Sequence, residues 1–258
     1  MTSARHTVPS FVLLAAHPLR WRLLTELSAG DYRVRELVAR VGEPQNLVSY
    51  HLRLLRDGGL VTTTRSSHDG RDTYYHLDLD SAAQLLTTAG AALHPALHMA
   101  STPLRFAPSA RPTVLFVCTG NSARSVIAES LLRLRAGGGI DVFSAGTRPK
   151  PAMHTNTVRV LRVEFGIDLI DRRPRRLDTL TGRRFDAVIT LCDKARESCP
   201  DFGDDPRWIH WSIPDPAASS GSDDDSYPNF LATAAEIDTR IRYLLPTLTD
   251  LGPTKRSA

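Results

Sequence analysis

Cys118, Arg124 and Ser125 fall together in the stretch VLFVCTGNSARSVIAESLL, residues 114 to 132. The apolar run before the cysteine reads as a buried strand, and the apolar spacing after Ser125 reads as a helix. A cysteine at the end of a parallel strand sits in the crevice where α/β sheets bind ligands. Thr119, Gly120, Asn121, Ser122 and Ala123 are small enough for their backbone N–H groups to turn inward around a tetrahedral anion. Arg124 can grip two oxygens at once. The helix dipole and Arg124 together favour the thiolate form of Cys118, and Ser125 can donate a hydrogen bond to that sulfur. The chemistry implied is nucleophilic attack by a thiolate on a bound oxyanion. The bland alternative is an inert buried cysteine beside an arginine.

The other two cysteines stand in TLCDKARESCP, where Cys192 and Cys199 follow an apolar strand and flank a polar, helix-compatible segment. Two structural cysteines serving as small hydrophobes are one reading. The polarity of DKARES instead predicts an accessible Cys199. Farther on, Asp215 precedes Pro216, a pair common in turns.

CTGNSARS, together with Asp215-Pro216, resembles the low-molecular-weight phosphotyrosine phosphatase family over about residues 113 to 250. The resemblance implies that Asp215 lies opposite the thiolate, where it can protonate a leaving oxygen. The added pair Cys192 and Cys199 is similar to the thioredoxin-coupled arsenate reductase branch of that family. That branch implies attack of Cys118 on arsenate, attack of Cys192 on Cys118 with release of arsenite, and resolution by Cys199 to a Cys192–Cys199 disulfide. An external thioredoxin-type dithiol then restores the enzyme, and no organic cofactor is needed. Members of the family often bind potassium beside the loop, and Asn121, Glu129 and Ser144 match three of its ligands. The fourth falls in the basic stretch RRPRRLD, where an arginine can replace the cation electrostatically. The alternative is a phosphatase, although DPAASS lacks the aromatic residues of phosphotyrosine-selective relatives. A third reading is a regulator that responds to an oxyanion without turnover.

The elements that must hold these residues alternate: strands TVLFV, DVFSAG, FDAVITLC and WIHWSI, with helices SVIAESLLRLR, MHTNTVRVLRVEFG and AEIDTRIRYLLPTL. Such alternation predicts an α/β domain over residues 113–250 with a central parallel sheet flanked by helices. The acidic GSDDDSYPN reads as a solvated loop before the last helix. No internal repeat is present.

Residues 1–100 follow another pattern. WRLLTELSAG, VRELVARVG and NLVSYHLRLLRDGG read as helices closed by glycine, and LVTTTRSS and DTYYHLDL as strands around an HDGR turn. The order predicts an α+β winged helix-turn-helix domain, and it resembles the arsenic-responsive repressor family. The second helix of such a pair enters the major groove. Gln45, Asn46, Ser49, Tyr50, His51 and Arg53 are the side chains expected to face an operator, with Arg65 and Arg71 on the wing against phosphates. A winged helix used for dimerisation alone is the alternative. Sensing relatives carry a cysteine pair near the segment that here reads YRVREL, with Arg33 and Arg35. Some relatives bind zinc through the last helix, but here His94 and His98 are two ligands only, with Pro95 between them, so no metal is assigned. SAAQLLTTAGAALHPALHMA resembles the helix that pairs subunits, so a homodimer through this domain is expected. STPLRFAPSARP, within residues 101–112, reads as the linker.

The 258-residue chain accommodates two domains, and its net charge of +4 suits DNA or an oxyanion. It has no apolar run long enough to span a bilayer, so no membrane partner is expected. Three cysteines argue against a disulfide framework and for a cytoplasmic protein with reduced thiols.

Overall fold

The computed structural model describes residues 8–66, 71–94, 111–180, 182–203, 205–218 and 221–249. The chain forms two compact units. The linker up to residue 110, His98 and most of the HDGR turn lie outside the described residues.

The amino-terminal unit contains α1 (Ser10–Ala15), α2 (Pro18–Ser28), β1 (Tyr32–Arg33), α3 (Val34–Val41), α4 (Gln45–Asp57), β2 (Val61–Arg65), β3 (Thr73–Leu77) and α5 (Leu79–Leu93). Helix α2 starts at a proline, whose missing N–H costs nothing there, and the His17 side chain caps it by accepting from Leu19 N. Gly42 ends α3 in the left-handed conformation, at φ 68°, that glycine adopts without strain. Leu23, Leu37, Val48, Leu52 and Leu55 are fully buried where the three central helices meet. The sheet is antiparallel in the order β1-β3-β2. β1 is too short to show a strand period, and it adds a third strand to the expected two. The short apolar run at residues 11–16 is partly taken up by α1, which packs on α2 and α5.

The carboxy-terminal unit contains β4 (Thr113–Cys118), α6 (Arg124–Ala136), β5 (Asp141–Gly146), α7 (Thr155–Phe165), β6 (Ala187–Thr190), α8 (Asp193–Ser198), β7 (Arg207–His210) and α9 (Asp223–Thr249). All four strands are parallel in the order β5-β4-β6-β7. β4 is central, and Val114 to Cys118 are buried without alternation, as a strand covered on both faces requires. Helix α9 packs along α6 and α7.

The acidic part of GSDDDSYPN is exposed, yet the stretch is not a loop: α9 begins at Asp223, and Ser226 is buried. Ser222 N donates to Asp225 Oδ2 at 2.9 Å and Asp225 N donates back to Ser222 Oγ at 3.3 Å, a reciprocal capping box. The Ser222 donors hold the Asp225 carboxyl below its ordinary value. The acidic run therefore marks the electropositive start of a helix.

Candidate active site

Cys118 ends β4 with 2% exposure, and residues 119–123 turn from it into α6. Asn121 takes a positive φ of 44°, which asparagine tolerates better than most residues. The loop carbonyls are drawn outward by the chain after β5. Thr147 N donates to Cys118 O, Arg148 N to Thr119 O, Lys150 N to Gly120 O and His154 N to Ser122 O, at 2.8–3.1 Å. The N–H groups of Gly120, Ser122 and Ala123 then have no backbone carbonyl partner among the described residues. Outward carbonyls and unengaged N–H groups make an anion nest. Gly146 permits this approach: a Cβ there would lie 2.7 Å from Thr119 O and 3.0 Å from Asn121 N.

The sulfur is held by two donors. Asn121 N donates to Cys118 Sγ at 3.3 Å, and Ser125 Oγ lies 3.0 Å from it. The Asn121 amide orientation is set because Arg175 N donates to its Oδ1 at 2.6 Å. Its Nδ2 therefore donates to Ser125 Oγ at 2.9 Å and Ser144 Oγ at 2.8 Å, and the Ser125 proton points to the sulfur.

Arg124 is 6% exposed. It donates from one Nη to Ile213 O at 2.9 Å and pairs through the other with Asp215 Oδ2 at 3.2 Å. Its buried Nε has no partner among the described residues and remains an available donor. Asp215, on a half-exposed side chain, is thus held against Arg124.

Cys192 is 2% exposed just before α8, its sulfur 3.3 Å from Thr119 Oγ1. The fold therefore sets a second thiol against the residue that follows the nucleophile. Cys199 follows α8 and is partly exposed, between full accessibility and the burial of the other two cysteines. It packs against the hydrophobic core, and burial pushes its thiol up to about 12. Lys194, Glu197 and Ser198 of α8 face solvent, while Asp193 and Ala195 turn inward.

The cation ligands inferred from the sequence do come together, around an arginine. Arg172 donates to Glu129 Oε2 and lies 3.4 Å from Ser144 Oγ, while Arg133 donates to Glu129 Oε1 at 2.8 Å. With the guanidinium in that place and Asn121 Oδ1 bonded to a backbone N–H, these residues do not fit a potassium ion.

Sequence reasoning missed a buried cluster beside Cys192. His210 Nδ1 lies 2.8 Å from Thr190 Oγ1 and its Nε2 lies 3.1 Å from Asp193 Oδ1, which also accepts from Ser212 Oγ at 2.9 Å. Its members come from β6, α8 and β7, so only the Cys192-Asp193 dipeptide offered a local cue.

In the amino-terminal unit Gln45, Asn46, Tyr50 and Arg53 lie exposed on α4, Ser49 is half-buried, and Arg65 and Arg71 are exposed at the wing. His51 is a correction: at 5% exposure it belongs to the inner face of α4 with Val48, Leu52 and Leu55. Its ring stacks on His17 at 4.3 Å, and its Nδ1 has no partner among the described residues. Desolvation, then His17 and Arg20, lower its pKa. Arg33 and Arg35 bond Asp72 at 2.9 and 3.0 Å and tie α3 to the wing. His94 ends α5, and no group of three or more potential metal ligands occurs among the described residues.

A buried thiol, an arginine and inward N–H donors at the carboxyl edge of a parallel sheet define a cysteine-dependent oxyanion site of the phosphatase type. The chain belongs to the low molecular weight phosphotyrosine protein phosphatase family, whose profile matches residues 113–253. Residues 17–63 match the bacterial regulatory protein, arsR family. The carboxy-terminal half is 32% identical over 137 residues to an arsenate reductase of Halalkalibacterium halodurans, covering 97% of that protein and 53% of this chain. It is 31% identical over 134 residues to an arsenate reductase of Bacillus subtilis, covering 95% of that protein and 52% of this chain. A solved arsenate reductase in the phosphate binding state is 25% identical, with a TM-score of 0.46, covering 53% of this chain and 98% of that one.

Proposed function

We propose that the chain is an arsenate reductase joined to an arsR-type DNA-binding regulator. The observation that carries the reading is Cys192, 3.3 Å from Thr119 at the nucleophile loop, with Cys199 at the far end of the same short helix. A phosphatase needs neither thiol. The relatives named arsenate reductase support it.

In this mechanism the loop N–H groups and Arg124 bind arsenate, and the Cys118 thiolate displaces one arsenic oxygen, which leaves as water once protonated. Asp215 is placed to give that proton. Cys192 then attacks Cys118, and the electron pair of the sulfur–arsenic bond stays on arsenic, which leaves as arsenite. Cys199 attacks Cys192, Cys118 departs as thiolate, and an external thioredoxin-type dithiol reduces the Cys192–Cys199 disulfide. One arsenate thus takes up two electrons per disulfide formed.

Helix α8 separates the two exchanging cysteines by roughly 10 Å of helical rise, whereas disulfide-bonded Cα atoms lie within about 7 Å. The segment must therefore unwind for the last exchange. Cys199 borders an open groove of about 580 Å³ with Pro200, Asp205 and Trp208, a surface suited to the reductant. Arg172 serves as the fixed positive charge that a potassium ion would supply.

Purified protein with thioredoxin, thioredoxin reductase and NADPH should produce arsenite stoichiometric with NADPH oxidised. Hydrolysis of an aryl phosphate without such turnover would establish the phosphatase alternative, which Cys118, Arg124 and Asp215 alone can support.

For the amino-terminal unit the exposed face of α4 and the wing arginines support operator binding. The outward apolar side chains Val12, Leu13 and Leu86 on α1 and α5 support a homodimer. No helix among the described residues is long and apolar enough to cross a membrane. Unpaired thiols needed for turnover suit the cytoplasm.

A further inference from the structure

The relay imposes opposite demands on α8: Cys192 must stay beside the nucleophile loop while Cys199 travels to it. The helix is built unevenly enough to meet both. Its first residues, Asp193 and Ala195, are buried at 1% and 0%, whereas Lys194, Glu197 and Ser198 are exposed. Asp193 is anchored by His210 Nε2 at 3.1 Å and Ser212 Oγ at 2.9 Å, both from the β7 edge. The His210 Nε2–H donates to the carboxyl oxygen, so in the neutral ring Nδ1 accepts from the Thr190 hydroxyl at 2.8 Å. A directed chain runs from the end of β6 through β7 to the residue after Cys192. Ser198 Oγ, by contrast, donates within α8 to Lys194 O.

We propose that Asp193 and His210 are positioning residues for thiol exchange: they pin the Cys192 end of α8 to the sheet, so that unwinding proceeds from the Cys199 end. The proposal rests on the relay described above, and it concerns its second thiol alone.

The test uses full-length protein in a Cys199→Ala background, where chemistry stops at Cys118–Cys192. Asp193→Ala removes the anchor, His210→Phe removes its link to β7 and leaves Ser212, and Asp193→Asn retains an acceptor. Three quantities are measured: aryl phosphate hydrolysis, single-turnover arsenite release, and the rate at which diamide, taking two electrons and two protons, closes the Cys118–Cys192 bridge as followed by mass mapping. Aryl phosphate kcat and KM should stay within about twofold in every variant. Arsenite release and diamide-driven bridging should both fall roughly tenfold or more in Asp193→Ala and His210→Phe and recover to within about threefold in Asp193→Asn. Unchanged bridging in Asp193→Ala and His210→Phe overturns the proposal, as does a parallel loss of aryl phosphate hydrolysis, which would make the cluster a general support of the sheet. If the Cys199→Ala parent releases no arsenite, the reductase reading fails, and the diamide rates still decide whether the anchor holds Cys192.

Discussion

Ser125 Oγ lies 3.0 Å from Cys118 Sγ, and the same oxygen accepts from Asn121 Nδ2, so its proton is directed at the nucleophile. Cys118→Ser should abolish arsenate reduction, because a hydroxyl neither ionises at neutral pH nor enters disulfide exchange. Ser125→Ala removes a hydrogen bond to a charged group, worth about 1.5–3 kcal/mol, so turnover should fall roughly ten- to hundredfold. Steady-state arsenite production measures both. Substantial turnover by Cys118→Ser would remove the mechanism.

The two later cysteines should separate by where the reaction stops. Cys199→Ala is expected to release at most one arsenite per chain and to accumulate a Cys118–Cys192 bridge, visible by mass mapping. Cys192→Ala should stall at the adduct while retaining aryl phosphate hydrolysis. Full thioredoxin-coupled turnover by Cys192→Ala would show that the relay is wrong.

Burial raises the Cys199 thiol from 9.0 to about 12. Between those values the folded segment keeps a proton that the unwound segment has lost, so rising pH favours the unwound form over this interval. Alkylation of Cys199 by iodoacetamide, in protein with Cys118 and Cys192 replaced by serine, should be slow at neutral pH. It should climb above pH 9 and accelerate in mild denaturant. A rate at pH 8 equal to that of a thiol in an unstructured peptide would mean that the segment is already open.

Arg172 donates to Glu129 and lies 3.4 Å from Ser144 Oγ, and in the function proposed above it stands in for a cation. Turnover should therefore be equal in potassium and sodium chloride at matched ionic strength. Arg172→Ala leaves the buried Glu129 with Arg133 alone and should destabilise the protein by ~2 kcal/mol, below the usual cost of breaking a buried pair because one partner remains. Potassium should then partly restore its activity. Potassium-dependent turnover in the unsubstituted protein would contradict the assignment.

On the DNA side, Arg65→Ala should weaken binding to any duplex about equally and lower the slope of log affinity against log salt by about 0.9, as loss of one phosphate contact does. His51→Ala should act through stability instead. With its pKa lowered by burial and by His17 and Arg20, His51 takes up a proton more readily when unfolded. Its unit therefore loses stability as pH falls below about 6.5 and regains it above. Salt-titrated binding and pH-dependent denaturation of the two variants should show opposite patterns.

What was legible in the sequence is what is local. Cys118, its loop, Arg124 and Ser125 lie within eight residues, and a strand, a turn and a helix place them without long-range information. His51 was readable too: it lies three residues after Val48 and four before Leu55, on the buried stripe, although its polar ring suggested the outer face. The Ser222–Asp225 capping box was hidden by the acidity of its surroundings. The cluster of Thr190, Asp193, His210 and Ser212 was out of reach, because it depends on β6 and β7 being neighbours.

Strand β4 lies between β5 and β6, and β6 in turn pairs with β7. In a chain made from its amino terminus, the helices and hairpin of the first unit are complete by Leu93, but the sheet lacks its edge until His210 has left the ribosome. At ordinary elongation rates that interval lasts roughly ten seconds. The first unit, built largely from near neighbours, folds well within it, whereas parallel pairing across long crossovers waits for the later strands. Each newly made molecule therefore passes through a stage with a finished DNA-binding unit and Cys118 and Cys192 still on unfolded chain. Those thiols meet cellular oxidants before the sheet can shelter them, so the yield of working enzyme depends on how reducing the compartment is during synthesis.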